Sequence, residues 1–424
     1  MRLTSAYDAR HASILVTTPE TAPAPLPLEG IRVCDFSWIV AGPQATRILA
    51  DLGAEVIKVE NADHLDSVRL MPGEPGPNRR GMHNNFNRNK LSITANLGHP
   101  RGRDLVERLI GVSDLVVENF SPGAFERMGF PYERLRELRP DVVYLSISGY
   151  GHAGRDSSYV TWGPTAQAVS GATAVSGLPD QPPAGWGFSY LDHTAGYYGA
   201  IAALMALYHR SQTGEGQHVD LSQVETGMLL AGVNMLDFQV NGRPSERIGN
   251  RSRWPAGAPH GIYPCAGDDR WIAIAVEDDA GWKALCAELG LPALAADARF
   301  VTNEARVANQ DVLDAAIASC TPEREPHELM EALQARGVTA GVVQTMEDRM
   351  ERDPQLAERG FYPTAPHPEL GDHRFEGFPA RFSGARWRLD RGAPLLGEHT
   401  RHVATDILGY SEAEYDALVA GGAV

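Results

Sequence analysis

The stretch SYLDHTAGYYGAIAALMALYHR, residues 189–210, places one carboxylate, Asp192, at the head of a long apolar run. Two roles suit a side chain in that position. Unpaired N–H groups and the helix dipole stabilise an anion in a first helical turn by typically about 0.3–1 kcal/mol, so Asp192 can be a cap. It can also be a nucleophile. An aspartate with a reference pKa of about 3.9 is ionised at neutral pH and needs no general base to attack an activated carbonyl. Its oxyanion donors would come from backbone N–H groups at the start of the same helix.

The elements that must position this carboxylate follow from periodicity. Tyr198, Ile201, Ala202, Leu204, Met205 and Tyr208 recur near a helical period, predicting a buried or nearly buried helix from about Thr194 to Arg210. Gly196 and Gly199 each cost about 0.5–1 kcal/mol relative to Ala inside a helix, which calls for a close neighbour: another backbone, a ligand or a partner chain. Upstream, strand-like IRVCDF, AEVIKVE, KLSITANL, DLVVEN and DVVYLSIS alternate with helix-like GPQATRILADLG, HPRGRDLVERLIGV and PYERLRELRP. Such alternation predicts a doubly wound parallel α/β sheet, with ligand loops beyond the strand ends at Asp35, Glu60, Leu97, Asn119 and Ser148. The first turn, DFSWIVAGP, has no G-x-G-x-x-G, which argues against a nicotinamide cofactor. Further on, WIAIAV, DDAGWKALCAELG, NQDVLDAAIASC, EPHELMEALQARG and VTAGVVQ read as a compact α+β unit.

With 424 residues the chain has room for two or three domains. A formal net charge of −16 argues against a nucleic-acid partner, and no uninterrupted apolar run reaches the roughly 18 residues of a membrane span. Cys34, Cys265, Cys286 and Cys320 form no C-x-x-C pair and the histidines no H-E-x-x-H, so no metal is expected and a reducing cytoplasm fits. The one cationic loop, RRGMHNNFNRNK at 79–90, suits either a small anionic ligand or a solvated surface.

Five segments in order, LEGIRVCDFSWIVAGPQATRILADLGAEVIKVE, NRNKLSITANL, DLVVENFSPGAFERMGF, LDHTAGYYGAIAALMALYHRSQTGEGQHVDLS and PLLGEHTRHVATDILGYSEAE, resemble the family III CoA-transferases, the formyl-CoA and carnitine CoA-transferase group. The resemblance implies a Rossmann-like large domain built from both chain ends, a smaller α+β domain, and an interlocked homodimer. The corresponding boundaries are a flexible extension at 1–28, the CoA-binding domain at 29–225, a linker at 226–254, the small domain at 255–345, a return linker at 346–380, and the C-terminal part of the large domain at 381–424.

By the same resemblance Asp192 is the nucleophile, passing through an aspartyl anhydride and an aspartyl-CoA thioester, and acyl-CoA is the substrate with a free carboxylic acid as acceptor. Coenzyme A would contact Val40, Ala41, Ala95, Asn96, Leu97, Gly98, Asn119, Phe120, Ser121 and Arg127. The formyl-CoA enzymes carry Gln at the position of Val40 and Arg at that of Asn61, and cover the nucleophile with a glycine-rich loop that WPAGAPHGIYP at 254–264 does not reproduce. These departures argue against a formyl/oxalate pair, and leave Arg69, Arg88 or Lys90 to supply charge to the CoA phosphates. Trp38, Val40, Trp162 and Trp186 suggest an apolar or bulky acyl group. The α-methylacyl-CoA racemases share the fold but pair this Asp with a His near YVTWGPTAQAV, where the chain has Gly163 and Pro164; only His152 and His193 are close in sequence. A non-catalytic CoA-binding protein could dispense with Asp192 altogether.

Overall fold

The computed structural model describes residues 24–72 and 76–424, so most of the segment read as an N-terminal extension lies outside the described residues. Six strands, β1 (Arg32–Asp35), β2 (Glu55–Glu60), β3 (Leu91–Thr94), β4 (Leu115–Glu118), β5 (Val143–Ser148) and β6 (His218–Ser222), form one sheet in the order β3-β2-β1-β4-β5-β6. Every pairing in it is parallel. The order reverses between β1 and β4, so the crevice beyond their carboxyl ends is where a doubly wound sheet binds its ligand.

Both faces of the sheet are covered, which is why strands such as VYLSIS are buried along their whole length instead of alternating. On one face Ala45 and Leu49 of α1 (Ala41–Asp51) and Ala203 and Leu207 of the long helix Tyr190–Thr213 pack on Val33, Val117 and Leu145. On the other, Leu105 and Leu109 pack on Cys34, Ile57 and Val116 together with Val403, Ala404 and Leu418 from the chain's end. The C-terminal segment is stitched on by backbone bonds from His399 N–H to Ser92 O (2.9 Å) and Asn96 N–H to Ala423 O (2.9 Å).

The remaining helices of this part are α2 (Gly81–Asn87), α3 (Pro100–Gly111), α4 (Ala124–Arg127), α5 (Tyr132–Leu138), α6 (Gly163–Val169), α7 (Tyr190–Thr213), α8 (Gln223–Leu230) and α9 (Gly232–Asn241). The segment 226–254, read from sequence as a linker, therefore carries most of α8 and all of α9. A separate three-stranded antiparallel sheet of His260–Pro264, Trp271–Ala275 and Thr339–Val342 has its own core of Trp282, Leu285, Leu313, Ile317 and Leu329. This is the α+β unit expected between the two parts of the chain.

Helix α7 differs from expectation in both start and orientation. It begins four residues earlier, at Tyr190, and its buried face is the small-residue face: Ala195, Gly196, Gly199, Ala200, Ala203 and Ala206. The large apolar residues Ile201, Met205 and Tyr208, placed by periodicity on the inner side, are exposed. The glycines explain the inversion. A Cβ on Gly196 would stand 2.5 Å from Gln44 Cγ and 2.9 Å from Ala41 O, and one on Gly199 would stand 2.9 Å from Ile147 Cδ1. Close packing on α1 and β5, not approach of CoA or a partner chain, accounts for both. Gly196→Ala should therefore destabilise the fold by about 1–3 kcal/mol through overpacking, read as a lower urea midpoint with unchanged slope.

Candidate active site

Asp192 is the third residue of α7, and Ser189 caps the helix in a left-handed conformation (φ 43°) that is uncommon outside glycine. The carboxylate does not cap its own helix. Gln223 Nε2 donates to Asp192 Oδ1 in a short contact, and Asp192 Oδ2 lies against the backbone of Gly163, where a Cβ would come within 2.5 Å of it. Burial raises the Asp192 carboxyl above its ordinary value, opposed by hydrogen bonds from Gln223, the Ser189 hydroxyl and the Gly163 N–H. Two of these donors come from the starts of α6 and α8, and the third, Ser189, from the head of the helix that carries Asp192.

A cavity of about 240 Å³ opens beside this carboxylate. Its wall includes Val40, Ala41, Asn119, Phe120 and Ser121 together with Trp38, Ile147, Trp162 and Gln223. A second cavity of about 220 Å³ shares Trp38 and Phe120 with it and is lined by Ala95, Leu97, Gly98, Asn61 and His64. Eight of the ten residues assigned to CoA by resemblance thus lie along two adjoining hollows at the sheet's switch point. The exceptions are Asn96, whose Oδ1 accepts from Gly98 N–H (3.0 Å) within the loop, and Arg127, exposed at the end of α4. Neither lines a hollow. Trp186 also stands apart, against Tyr190 with ring centroids 5.1 Å apart.

The walls are held by specific bonds. Asn119 Oδ1 accepts from Trp38 N–H (2.7 Å) and its Nδ2 donates to Trp38 O (2.9 Å), tying the β1–α1 turn to the loop after β4. Phe120 N–H donates to Glu118 Oε2 (2.7 Å), and burial pushes the Glu118 carboxyl up to about 8. Beneath the β1–α1 turn, Asp35 is fully buried and accepts from Lys90 Nζ (3.0 Å), Thr46 Oγ1 (2.8 Å) and Ser37 N–H (2.9 Å). Burial alone would raise Asp35, but Lys90, Lys58 and the Ser37 and Thr46 hydroxyls hold it below the usual carboxylate value. Burial draws Lys90 down to about 8.

These pairings overturn the assignment of Arg69, Arg88 and Lys90 to the CoA phosphates. All three are fully buried: Arg69 forks onto Glu60 (2.8 Å to each oxygen), Arg88 onto Asp51 (2.6 Å), and Lys90 onto Asp35. Of the cationic 79–90 segment, α2 occupies most, Arg88 and Lys90 are spent inside, and Arg79 meets Glu369 (3.3 Å) at the surface. Sequence gives no register for such long-range pairs. Gln223 was also missed, because nothing in LSQVETGM marks a glutamine at a helix start as aimed at a carboxylate 31 residues earlier.

Among the described residues no histidine lines the cavity beside Asp192. His152 sits between Glu118 and Glu126, 3.7 Å from each, and His193 packs on Phe86 with ring centroids 5.5 Å apart. In the stretch near which the resemblance to racemases would put their histidine, Gly163 has no space for a side chain while Asp192 keeps its present orientation. Residues 254–264 line neither hollow.

The model of CoA-transferase family III matches residues 28–400. The chain belongs to that family. It is 35% identical to the succinyl-CoA–D-citramalate CoA-transferase of Chloroflexus aurantiacus over 93% of this chain and 98% of that protein. To the succinate–glutarate CoA-transferase of Agrobacterium fabrum it is 34% identical, over 90% of this chain and 96% of the relative. A crystal structure of a CaiB/BaiF family protein from Brucella suis superposes with a TM-score of 0.84 at 32% identity, covering 90% of this chain and all of the other. The protein is an acyl-CoA:carboxylate CoA-transferase, and its substrates include a CoA thioester. No helix among the described residues is long and apolar enough to cross a membrane.

The raised carboxyl of Asp192 has a consequence for stability. A group that binds its proton more tightly when folded favours folding most at low pH; this advantage is lost as pH rises from the unfolded value through the folded one. At neutral pH the ionised Asp192 is therefore a net cost. Asp192→Asn should melt at least as high as the wild type at pH 7, with its relative advantage shrinking towards pH 4, as checked by thermal denaturation at both pH values.

Proposed function

We propose that the protein transfers CoA from an acyl-CoA donor to a free carboxylic acid with Asp192 as the covalent nucleophile. The observation that carries this reading is a desolvated carboxylate, supplied with donors, on the wall of the cavity that joins the expected CoA loops. Attack on the donor thioester gives a mixed anhydride and CoA thiolate, and return of the thiolate gives an aspartyl-CoA thioester. The acceptor acid then reverses the two steps and leaves as the new thioester. Each intermediate is covalent, so the thioester's free energy is retained as long as water is kept out.

The CoA contacts are taken to be the hollow-lining residues Val40, Ala41, Ala95, Leu97, Gly98, Asn119, Phe120 and Ser121, with Asn96 shaping the 95–98 turn and the exposed Arg127 reaching CoA from α4. The relatives named above act on dicarboxylic acids by their names. Here the walls beside Asp192 are built from Trp38, Val40, Ile147, Val160 and Trp162, with no Lys, Arg or His among them. A second carboxylate would enter without a counter-ion, at substantial desolvation cost. We therefore assign a branched or aromatic monocarboxylic acyl group to this cavity.

The large exposed apolar residues Ile201, Met205, Tyr208, Leu229, Val233 and Phe238 on α7–α9 support a homodimer of the interlocked kind, since monomers rarely leave so extended an apolar surface open. The domain limits given above and a cytoplasmic location, in keeping with four free cysteines, complete the reading.

Asp192→Ala should abolish exchange, and the wild type incubated with donor alone should carry a CoA adduct on the peptide containing Asp192 by mass spectrometry. Undiminished exchange in the variant would overturn the nucleophile assignment. Because burial raises the carboxyl, kcat/KM should fall with decreasing pH on an acid limb lying above the ordinary aspartate value. In a panel of donors, branched or aromatic acyl-CoAs should exceed succinyl-CoA in kcat/KM; the reverse order would remove the monocarboxylate assignment while leaving the nucleophile intact.

A further inference from the structure

We propose that the Gln223 carboxamide is the oxyanion donor for chemistry at the aspartyl carbon, making Oδ1 of Asp192 the oxygen retained as carbonyl through the covalent cycle. The proposal rests on the reading of Asp192 as nucleophile and adds a second catalytic residue to it.

The geometry distinguishes the two carboxylate oxygens. Oδ1 receives the Gln223 Nε2 donor, while Oδ2 lies against Gly163, where only a residue without a side chain fits. Gln223 is 5% exposed, lines the same cavity as Asp192, and opens α8 directly after Ser222, whose hydroxyl caps that helix by accepting from Glu225 N–H. Its backbone is thus fixed between β6 and α8. A primary amide suits the task. It keeps its donor protons at every working pH and adds no charge, so it can stabilise a developing oxyanion without neutralising the ground-state nucleophile as a lysine would.

The electron count follows from this assignment. Oδ2 attacks the acyl carbon of the donor thioester, the C–S bond breaks, and CoA thiolate departs. The thiolate sulfur then attacks Cγ of Asp192. A new C–S bond forms, the carbonyl pair moves onto Oδ1, and Gln223 Nε2 stabilises the resulting oxyanion. Collapse breaks the Cγ–Oδ2 bond, and the donor acid leaves as a carboxylate carrying Oδ2. The acceptor carboxylate next attacks Cγ of the aspartyl thioester, the charge again gathers on Oδ1, and thiolate is expelled. Finally the thiolate attacks the acceptor's acyl carbon and releases Asp192 with Oδ1 and one acceptor-derived oxygen. Gln223 is therefore used twice in each turnover.

Three variants test this: Gln223→Leu, Gln223→Glu and, as the reference, Asp192→Ala. Removing an oxyanion donor typically costs about 10²–10³ in kcat, so Gln223→Leu should lose kcat to that extent while KM for both substrates stays near the wild-type value. With donor alone, its Asp192 peptide should carry the acyl group as the anhydride in place of the CoA thioester, because the step at Cγ is the one slowed. Gln223→Glu keeps the shape and donates only when protonated; its kcat should rise as pH falls through the titration of the introduced carboxyl, a dependence opposite in sign to the wild-type acid limb. Should Gln223→Leu not fold, the pH profile of Gln223→Glu decides. Wild-type kcat in Gln223→Leu, a loss confined to KM, or a Gln223→Glu profile that follows the wild type would overturn the proposal while an inactive Asp192→Ala leaves the nucleophile standing. An active Asp192→Ala would overturn both.

Discussion

The buried charge cluster around Asp35 is the constraint on which the site depends. Asp35 ends β1, the strand beside the switch point, and the chain must turn at once to start α1 while leaving a hollow above the sheet. That turn contains Ile39 in a left-handed conformation (φ 64°), a strained state for a β-branched residue. What holds it is below: Lys58 Nζ donates to Ser37 O (2.6 Å) and pairs with Asp66 (3.3 Å), Asp66 accepts from Ile39 N–H (3.2 Å), and Lys90 closes the set onto Asp35. Breaking a buried pair by removing one partner costs about 3–5 kcal/mol, so the charges specify this turn far more sharply than apolar packing would. Trp38, Val40 and Ala41, which line the cavity beside Asp192, follow directly from it.

The same cluster explains how an acidic chain spends its cations. Lys58, Lys90, Arg69 and Arg88 all neutralise carboxylates at or near strand and helix ends, and none faces the hollows as a free charge. The cavity beside Asp192 holds no charged side chain apart from Asp192 itself among the described residues, its wall combining Trp38, Val40, Ile147 and Trp162 with the neutral polar Asn119, Ser121, Ser148, Thr161 and Gln223. A carboxylate held by neutral dipoles keeps its electron density, whereas one forked by an arginine would give it up to the pair.

Much of this was legible in the sequence. Alternation of β-rich and helical runs gave the parallel sheet because its strands, covered on both faces, read as short continuous apolar stretches. The resemblance pointed to Asp192 and to the loops at 40–41, 95–98 and 119–121, and most of these line the two adjoining hollows because they sit at strand or helix ends that local patterns mark. What stayed hidden depends on tertiary register. The partners of Arg69 and Arg88 lie 9 and 37 residues away, with no local rule linking them. The inner face of α7 was misread because hydrophobicity ranks Ile201, Met205 and Tyr208 above the small residues, whereas the tight approach to α1 and β5 admits only Gly and Ala. Shape, not apolarity, selected the buried side.

That inversion links the fold to the chemistry. Packing through Ala195, Gly196 and Gly199 lets α7 approach α1 closely enough for its first turn to rise beside the β1–α1 turn, so the carboxylate and the loops at 38–41 and 119–122 line one cavity. A helix seated on its larger residues would stand farther from the sheet and carry Asp192 away from Gly163 and Gln223. The stability spent on burying an ionised carboxylate is then offset elsewhere, in the dense α1–α7 seam and the ion-paired floor. Opposed effects act on the carboxylate: desolvation raises its proton affinity, while the hydrogen bonds from Gln223, Ser189 and Gly163 favour its ionised form. Removing the donors altogether would favour the protonated, unreactive acid, and adding a cation would stabilise the anion beyond use.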